Sequence, residues 1–302
     1  MDTPVQTPPD VSVIVIGHDV RDEVLSCLAS IEAHRGSLVV ETIVVDNGSR
    51  DGTAEAVEQR FPAAIVIRRP TNEGVAARNH GLRVARGRMR MFLDSDARLT
   101  DNALARMVEY IDEHPGVGLV GPRLVYPDGR LQLSARRYPP LALPLLRRPP
   151  LGHLLEDSGP VRHHLMADEP HDRARAVEYV LGACQLFSAE AQHAAGEIDV
   201  RIFYGHDDAD WCFAVRTAGF ECVYLPEGTV VHDYRRSTAK RPLSGASLAH
   251  LRAFLILRWK WRSRRRELIE AGRVMDAQAL ASRALAAREV VPAGSYAREA
   301  DE

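Results

Sequence analysis

The chain of 302 residues has few cysteines, and those it has are not spaced for a metal site. They show neither zinc-finger nor Cys-x-x-Cys spacing, and the chain is far longer than a disulfide-stapled secreted scaffold. The four are Cys27, Cys184, Cys212 and Cys222. We therefore expect buried, reduced thiols.

An excess of charge of either sign is also lacking. The 39 Lys and Arg residues nearly balance the 41 Asp and Glu residues, which leaves a formal net charge of -2. No general attraction to nucleic acid is expected from such a balance. The hydrophobic content of 45% is sufficient for the core of one large domain, with or without an appendage.

Long hydrophobic runs are absent. The longest, near Pro139–Leu146 and Tyr179–Ala189, are well short of the roughly 20 residues that a membrane-spanning helix needs. Residues Met1–Asp10 are polar, contain three prolines and lack the charged-then-apolar pattern of an export signal. We expect a cytoplasmic protein with a flexible N-terminal tail over residues 1–10.

Strand and helix patterns alternate through the first third of the chain. Val11–Ile16 is a continuous β-branched run, and Asp22–His34 then places its apolar residues on one helical face. This alternation predicts an α/β fold with a mostly parallel sheet and helices on both faces. The further strands are Thr42–Val45, Ala64–Arg68 and Met89–Leu93, and the further helices are Thr53–Arg60, Gly74–Ala85 and Asp101–Glu113.

The second part of the chain changes character. Strands at Gly118–Tyr126 and Arg130–Ser134 flank a Pro-Asp-Gly turn, which predicts a hairpin and hence a mixed sheet. Pro139–Asp172 has no clean periodicity and is long enough to predict a functional loop. The predicted domain, residues 11–243, is completed by Val177–Ser188, a helix at Asp208–Ala218 and strands Phe220–Leu225 and Thr229–His232. Residues 244–302 form a predicted basic helical extension.

Two acidic clusters stand out because each follows an apolar run. They are Asp94-Ser95-Asp96 after Met89–Leu93, and Asp207-Asp208-Ala209-Asp210 after Ile202–Tyr204. Carboxylates at the exposed ends of buried elements are where α/β proteins keep ligands. The pattern predicts a metal-dependent transfer site in which one cluster holds a cation and the other supplies a base.

These clusters belong to a longer series of motifs. In order, the series is Val11–Ile16, Val44–Ser49 with Asp51–Thr53, Asn72–Gly74 with Arg78 and Asn79, Leu93–Asp96, Gly182–Cys184, Asp207–Cys212 and Val231-His232. From Val11 to Arg236 the chain resembles the family 2 glycosyltransferases of GT-A fold. The resemblance implies an inverting enzyme that takes a sugar from a nucleotide diphosphate donor by a single in-line displacement.

The resemblance also implies a nucleotide-binding half. Ile16, His18, Asp46 and Asn47 would form the slot for the base, and Arg78 would reach the donor phosphates. The alternative for Asp46 and Asn47 is a turn that caps the next helix. The alternative for Arg78 is an exposed helix arginine that pairs with a neighbouring glutamate.

Asp94-Ser95-Asp96 matches the DXD motif of GT-A enzymes. By resemblance Asp96 is the metal ligand, Asp94 contacts the ribose of the nucleotide sugar or the cation, Ser95 belongs to the nucleotide-sugar site, and His232 supplies an imidazole to the cation. Hard oxygen ligands suit Mg²⁺ or Mn²⁺, which would neutralise the departing diphosphate. The alternative for His232 is a surface histidine satisfied by local hydrogen bonds.

Asp208 falls on the second acidic motif of the family, with Asp207 in place of the usual glutamate. The resemblance implies that Asp208, with Asp207 beside it, is the general base that activates the acceptor hydroxyl. We expect like-charge repulsion from Asp207 and Asp210 to raise the pKa of Asp208. The alternative is an acidic helix N-terminus favoured by the helix dipole.

The donor is expected to be dTDP-rhamnose, because four short sequence features resemble those of the rhamnosyltransferase-like branch of the family. The features that carry this are Val45–Ser49, Arg147-Arg148, Leu165-Met166 and Gly182–Cys184. The acceptor would be a glycan or polyprenyl-linked hydroxyl in envelope polysaccharide synthesis. A UDP-galactofuranose donor, suggested by Asp207–Trp211, and a catalytically silent nucleotide-sugar-binding scaffold stay open as alternatives.

The predicted helical extension carries seven arginine and lysine residues from Arg252 to Arg266, interleaved with apolar and tryptophan residues. A helix of this composition suits an anionic membrane surface, which would bring the protein to the inner face of the cell membrane. Equally, its apolar stripe could pack on the catalytic domain or on a second subunit. The oligomeric state is left open, and a nucleic-acid partner is not expected.

Overall fold

Among the residues that the structure describes, the β-branched runs of the first third form one side of a ten-stranded mixed sheet, with strands in the order β3-β2-β1-β4. The computed structural model describes residues 8–146, 155, 157–234 and 244–264. These four strands are parallel. They are β1 Val11–Gly17, β2 Val40–Asp46, β3 Ile65–Arg68 and β4 Met89–Asp94. The connecting helices are α1 Arg21–His34, α2 Thr53–Arg60 and, after a 3₁₀ turn at Gly74–Ala77, α3 Arg78–Val84.

The sheet continues from β4 in the order β11-β6-β12-β5. Strand β11 is antiparallel to both of its neighbours, and β12 is parallel to β6. The strands are β5 Ala97–Leu99, β6 Val117–Val125, β7 Leu131–Gln132, β8 Ala135–Arg136, β9 Arg175–Ala176, β10 Tyr179–Val180, β11 Cys184–Ser188 and β12 Glu221–His232. The predicted mixed, mostly parallel sheet is confirmed, as is the hairpin of β6 and β7.

Helices complete both faces of this second part. They are α4 Ala103–Glu113, α5 Leu143–Leu146, α6 Gly159–His164, α7 Ala189–Ala195, α8 Asp207–Thr217 and α9 Gly245–Lys260. Helices α5 and α6 lie within the segment that the sequence predicts as a loop, so that prediction is wrong there. Helix α7 has no counterpart in the sequence prediction.

The segment Val177–Ser188, for which no element type is predicted from the sequence, contains two strands, β10 and β11. Strand β10 pairs with β8 in a separate two-stranded sheet, whereas β11 joins the main sheet. Between them the Leu181 N–H donates to Ser134 O, and Ala183 O accepts from the Asp94 N–H. The chain therefore passes from the small sheet to the main sheet at Gly182, next to the last residue of β4.

Alternation along β1 divides the core into two layers. Val13 and Val15 pack with the residues of α1 and α4 on one face. Ile14 packs on the other face in a cluster that includes Trp211 of α8 and Leu257 of α9. Helix α9 is thus built into the core of the domain. The predicted boundary at residue 244 stays a prediction.

Some sequence expectations fall on parts of the chain that the structure does not describe. The tail is described only from residue 8, and Arg147-Arg148 and residues 265–302 lie outside the described residues. The four cysteines are free and buried, as expected. Within the described residues no helix has the length and apolarity needed to cross a bilayer.

Candidate active site

The first acidic cluster sits where β4 turns sharply into the short strand β5. Asp94 is the last residue of β4, and Ser95 and Asp96 form the turn. Strand β5 runs antiparallel to the end of β12, with Ala97 opposite His232. The Asp233 N–H donates to Asp96 O at 3.0 Å. This pairing places the His232 ring beside the Asp96 carboxylate.

Asp94, Asp96 and His232 form a cluster that could hold a metal ion. One potential ligand atom from each lies within 4.8 Å of the others. His232 Nε2 is 3.4 Å from Asp96 Oδ1, and the ring is buried. Two carboxylates and one imidazole are a donor set that suits a divalent cation. The residues present therefore fit the cation that the resemblance implies.

A buried amide fixes the orientation of the His232 ring. His232 Nδ1 lies 2.7 Å from Gln132 Oε1, where the Nδ1–H donates and leaves Nε2 directed towards Asp96. Metal-binding histidines are commonly held in this way by a second hydrogen bond. Burial lowers the pKa of His232, but the hydrogen bond and charge of Asp96 outweigh it, so the net pKa shift is upward.

Arg78 joins the two acidic clusters. Its guanidinium is buried, donates to Asp207 Oδ2 at 2.9 Å through Nη1 and donates to Asp94 Oδ1 through Nη2. Glu73 instead bonds to Arg69 and His80, so the alternative of an exposed Arg78–Glu73 pair is wrong. Asp94 and Asp207 are 113 residues apart in the sequence, and both accept hydrogen bonds from the guanidinium of Arg78.

The second cluster begins helix α8. Gly205 and His206, which precede it, have positive φ values of 79° and 60°. The expectation of a buried element before the cluster is wrong, because Phe203 and Tyr204 are exposed. Asp207 and Asp208 are instead oriented by a tight left-handed turn into a helix N-terminus, where the helix dipole favours acidic residues.

Burial raises the pKa of Asp94 to about 6, with the charge of Arg78 opposing the shift and that of Asp96 adding to it. The ionised form of Asp94 is therefore disfavoured in spite of its ion pair with Arg78. A carboxylate pair of this kind gains stability from a bound cation.

Burial is also the main reason why the pKa of Asp208 rises to about 7, and the charge of Asp207 adds to it. Hydrogen bonds from the N–H groups of Ala209 and Gly182 act in the opposite direction. The predicted effect of Asp207 is confirmed. The predicted effect of Asp210 is wrong, since that carboxylate accepts hydrogen bonds from Lys260 and Trp261 on another side of the helix.

Both clusters open into one cavity of about 850 Å³. Ten of the eleven site residues predicted from the sequence line it: Ile16, His18, Asn47, Arg78, Asp94, Ser95, Asp96, Asp207, Asp208 and His232. Asp46 is not among the lining residues, and its Oδ1 accepts from the Ser49 N–H at 3.0 Å. The turn alternative therefore describes what Asp46 does in this structure, and its role in the base slot stays a prediction.

Asn47 has a structural role at the end of the cavity where β1 and β2 finish. Its Oδ1 accepts from the Glu73 N–H at 2.8 Å, and its Nδ2 donates to Gly74 O at 3.0 Å. His18 Nδ1 lies 3.0 Å from Asn47 O, and the His18 side chain is exposed by 42%. The rim of the cavity is thus held in place here by its own hydrogen bonds, and the His18 ring is left accessible.

Sequence reasoning missed several lining residues, among them Gln132, Arg136 and Gly182. Arg136 is buried, and its charge lowers the pKa of Asp208. Gly182 faces Asp208 so closely that a Cβ there would lie 3.3 Å from the Asp208 Cβ. Of these three, Gly182 is the one that the sequence marks, because it begins the Gly182–Cys184 motif, whereas Gln132 and Arg136 follow an ordinary hairpin turn.

A mixed sheet of this order, with an acidic cavity at the ends of its parallel strands, defines a protein of GT-A fold. The chain belongs to glycosyl transferase family 2, whose family model matches residues 12–165.

The chain resembles curated proteins with assigned roles. It is 25% identical over 233 residues to an N-acetylglucosaminyl-diphospho-decaprenol L-rhamnosyltransferase of Mycobacterium tuberculosis, covering 72% of this chain and 74% of that protein. It is 34% identical over 139 residues to the glycosyltransferase AglE of Haloferax volcanii, covering 44% of this chain and 45% of the relative.

Solved structures share the fold. GalNAc-T7, solved with UDP, GalNAc and Mn²⁺, superposes with a TM-score of 0.63 at 16% identity over 85% of this chain. The chain spans about half (49%) of that structure. A mannosyltransferase from Pyrobaculum calidifontis, in complex with GDP-Man and Mn²⁺, gives a TM-score of 0.54 at 20% identity over 94% of this chain and 80% of the other.

Proposed function

We propose that the protein is a metal-dependent inverting glycosyltransferase that moves rhamnose from dTDP-rhamnose to a hydroxyl of a glycan or polyprenyl-linked acceptor. The observation that carries the proposal is the convergence of both acidic clusters on one cavity, joined by Arg78. In envelope polysaccharide synthesis, the active site would work at the inner face of the cell membrane.

Each half of the cavity has its own task in this proposal. Ile16, His18 and Asn47 receive the nucleotide base, and Asp46 supports the turn behind them. Arg78, held between Asp94 and Asp207, directs positive charge towards the donor phosphates. Asp94 and Ser95 contact the nucleotide sugar from the turn after β4.

Asp96 and His232, with Asp94 beside them, would hold Mg²⁺ or Mn²⁺. When bound, the cation neutralises the charge that gathers on the departing diphosphate. Two structural neighbours were solved with Mn²⁺ and a nucleotide or nucleotide sugar, which supports this cofactor class. The donor set itself does not separate the two metals.

Asp208 is the general base in the proposal. It takes the proton of the acceptor hydroxyl as the hydroxyl oxygen attacks the anomeric carbon and the diphosphate leaves from the opposite side. A pKa of about 7 is well matched to this task near neutral pH, because the group is then partly ionised yet still basic. Asp207, engaged by Arg78, supplies the neighbouring charge that keeps this pKa high.

The rhamnosyl donor is supported by the mycobacterial relative, which is named as an L-rhamnosyltransferase with a decaprenol-linked acceptor. UDP-galactofuranose stays the alternative donor. A silent scaffold is disfavoured by the joint presence of Asp96, Asp208 and His232 in one cavity.

A thermal-shift screen of nucleotide sugars in Mn²⁺ tests the donor. We expect dTDP-rhamnose at about 100 times its Kd to raise the melting temperature by on the order of 5 °C, because ligand binding to the folded state alone stabilises it. The shift should disappear in EDTA. UDP-galactofuranose, UDP-glucose and GDP-mannose are the comparison donors, and release of nucleoside diphosphate is then measured for each binder.

The outcomes of the screen separate the candidates. A shift with UDP-galactofuranose alone would replace the rhamnosyl proposal by its alternative. Binding without any turnover, with acceptor sugars present, would favour the scaffold. An equal shift with and without EDTA would contradict the cation site.

The structure divides the residues of α9 between two surfaces. Phe254 and Leu257, with Trp261 directly after the helix, are buried against the domain, which supports the packing alternative for the apolar stripe. Leu255 and Trp259 remain exposed by 58% each. We propose that this outer face, with Leu248 and the neighbouring Phe203, meets the membrane surface.

Liposome sedimentation tests the membrane contact. We expect vesicles with anionic lipid to pellet the protein and neutral vesicles to leave it in the supernatant, because the exposed Arg252 of α9 would meet charged headgroups. Replacing Leu255 and Trp259 with serine should abolish pelleting, whereas Val39→Ser, an equally exposed apolar residue elsewhere, should not. Equal pelleting with both vesicle types would remove the proposed contact.

A further inference from the structure

Helix α8 carries a third carboxylate, Asp210, that takes no part in the cavity. Its side chain is buried, with 3% of the residue exposed, and it is absent from the cavity lining. Trp261 Nε1 donates to its Oδ1 at 2.7 Å, and Lys260 Nζ donates to its Oδ2 at 2.8 Å. Lys260 is the last residue of α9 and Trp261 follows it, 50 and 51 residues further along the chain than Asp210.

Lys260 also reaches the segment that leads into α8. Its Nζ lies 3.4 Å from Asp199 Oδ2, and Asp199 is held in turn by the fork of Arg201 at 2.9 and 2.6 Å. One ammonium group thus connects the start of the 199–206 segment to the helix that follows it. Its positive charge sits between two carboxylates that would otherwise repel each other.

The same segment, together with Ile198 directly before it, is also tied to the side of the domain that carries α3. Asn79 donates to Ile198 O and accepts from the Ile198 N–H, each at 2.9 Å. The Val75 N–H donates to Phe203 O at 3.0 Å, and Gly74, at φ 66°, approaches so closely that a Cβ there would overlap Phe203 O. The N-terminus of α8 is therefore fixed from the donor side by α3 and from the other side by α9.

The geometry of an α-helix links Asp210 to Asp208. The two residues are separated by about 200° around the axis and about 3 Å along it. A helix held on the Asp210 side therefore presents Asp208 on the cavity side at a fixed height. Loss of the bonds to Asp210 would leave a buried carboxylate without its cation, which is unfavourable until the group takes up a proton, and in either case the contacts that hold α8 against the end of α9 are lost.

We propose that Lys260 and Trp261 are positioning residues for the transfer reaction, which through Asp210 fix the helix that presents Asp208 to the acceptor. The inference rests on the proposed function, because it takes Asp208 as the general base. It makes the end of α9 a part of the working enzyme. A displacement of a reacting group by about 1 Å commonly lowers a rate by on the order of 100-fold.

Two substitutions remove the two bonds separately. Trp261→Phe keeps an aromatic ring and deletes the N–H, and Lys260→Met keeps a stem of similar length and deletes the charge. Lys260→Arg is the conservative variant that restores a cation. Arg106→Met is the matched control, since it removes an exposed ion pair with Glu109 at 2.8 Å on α4.

The measurement is steady-state release of dTDP from dTDP-rhamnose in Mn²⁺, together with the stoichiometry of dTDP binding at the same temperature. We expect each of Trp261→Phe and Lys260→Met to lower kcat about 10- to 100-fold, with KM for the donor changed less than about threefold. Lys260→Arg should stay within about fivefold of the unchanged protein, and Arg106→Met should be indistinguishable from it.

A merely structural role would give a different pattern. Unchanged kcat in both variants would overturn the inference, and so would a loss of kcat that parallels the loss of dTDP-binding stoichiometry. Lack of turnover in the unchanged protein, with every donor of the screen, would overturn the proposed function and the inference with it.

Discussion

Replacing Asp208 with asparagine should lower the turnover number by about 10²- to 10⁴-fold while donor binding is retained. Asparagine has nearly the same shape but cannot accept the proton of the acceptor hydroxyl. The nucleotide half of the cavity keeps all of its contacts, because Arg78 bonds to Asp207 and Asp94 and not to Asp208. Release of nucleoside diphosphate gives kcat, and titration with dTDP in Mn²⁺ gives the affinity.

The stability of the variant serves as its control. The folded pKa of Asp208 is about 7, whereas an unperturbed aspartate titrates near 4. Between about pH 4 and pH 7 the folded protein therefore holds a proton on Asp208 which the unfolded chain has lost. The free energy of unfolding falls as the pH rises through this range, because ionisation of Asp208 is less favourable in the folded protein. Asp208→Asn should therefore melt at an equal or higher temperature than the unchanged protein at pH 8, and the difference should vanish near pH 4.

A variant that turns over normally would remove Asp208 from the role of base. A variant that loses donor binding together with turnover would show instead that Asp208 belongs to the nucleotide half. Asp112→Asn is a suitable comparison, because it replaces a carboxylate that pairs with Arg88 on the surface.

The second large effect is expected from Asp96→Asn. Removing one of two carboxylates from the Asp94–Asp96–His232 cluster takes away a charged ligand for the cation, and an amide is a much weaker partner for it. Loss of supporting hydrogen bonds alone commonly weakens metal sites 10- to 100-fold, so loss of a direct ligand should cost at least about 100-fold in Mn²⁺ affinity. Electron paramagnetic resonance of free Mn²⁺ in a titration with protein and dTDP measures it directly.

Asp101→Asn is the matched control for this prediction. Asp101 lies five residues further along the chain, is exposed and pairs with His34 at 2.7 Å. Its replacement should leave the Mn²⁺ titration unchanged. Retention of Mn²⁺ affinity in Asp96→Asn would contradict the ligand assignment, whatever the activity of the variant.

Much of the nucleotide half could be predicted from the sequence because its signals are local. The run Val11–Ile16 is β-branched throughout, and Asp94 follows an apolar strand directly. Parallel strands end at one edge of a sheet, so polar residues that end different strands must meet there. The first four strands and the position of Asp94 follow from these patterns alone.

The pairing of Asp96 with His232 could not be predicted in the same way. It depends on β5, a strand of three residues whose letters, Ala-Arg-Leu, carry no periodic signal. The resemblance to a family supplied His232 as a candidate, and the antiparallel register of β5 and β12 is the physical reason for its place. No motif or periodic pattern in the sequence points to Gln132, which orients the His232 ring.

The second acidic cluster shows an error that helix geometry alone would have prevented. Asp207, Asp208 and Asp210 are adjacent in the sequence, which suggests mutual repulsion. In a helix, successive side chains turn by about 100°, so Asp210 faces away from Asp208. The structure places Asp210 against Lys260 and Trp261 accordingly.

The anomeric configuration of the released sugar tests the central claim most directly. Proton nuclear magnetic resonance of a donor-hydrolysis reaction, recorded before the free sugar equilibrates, reports the first product without knowledge of the acceptor. A single displacement, with Asp208 as base on one side and the diphosphate leaving on the other, predicts a configuration opposite to that of the donor. A first product that keeps the donor configuration would contradict the account.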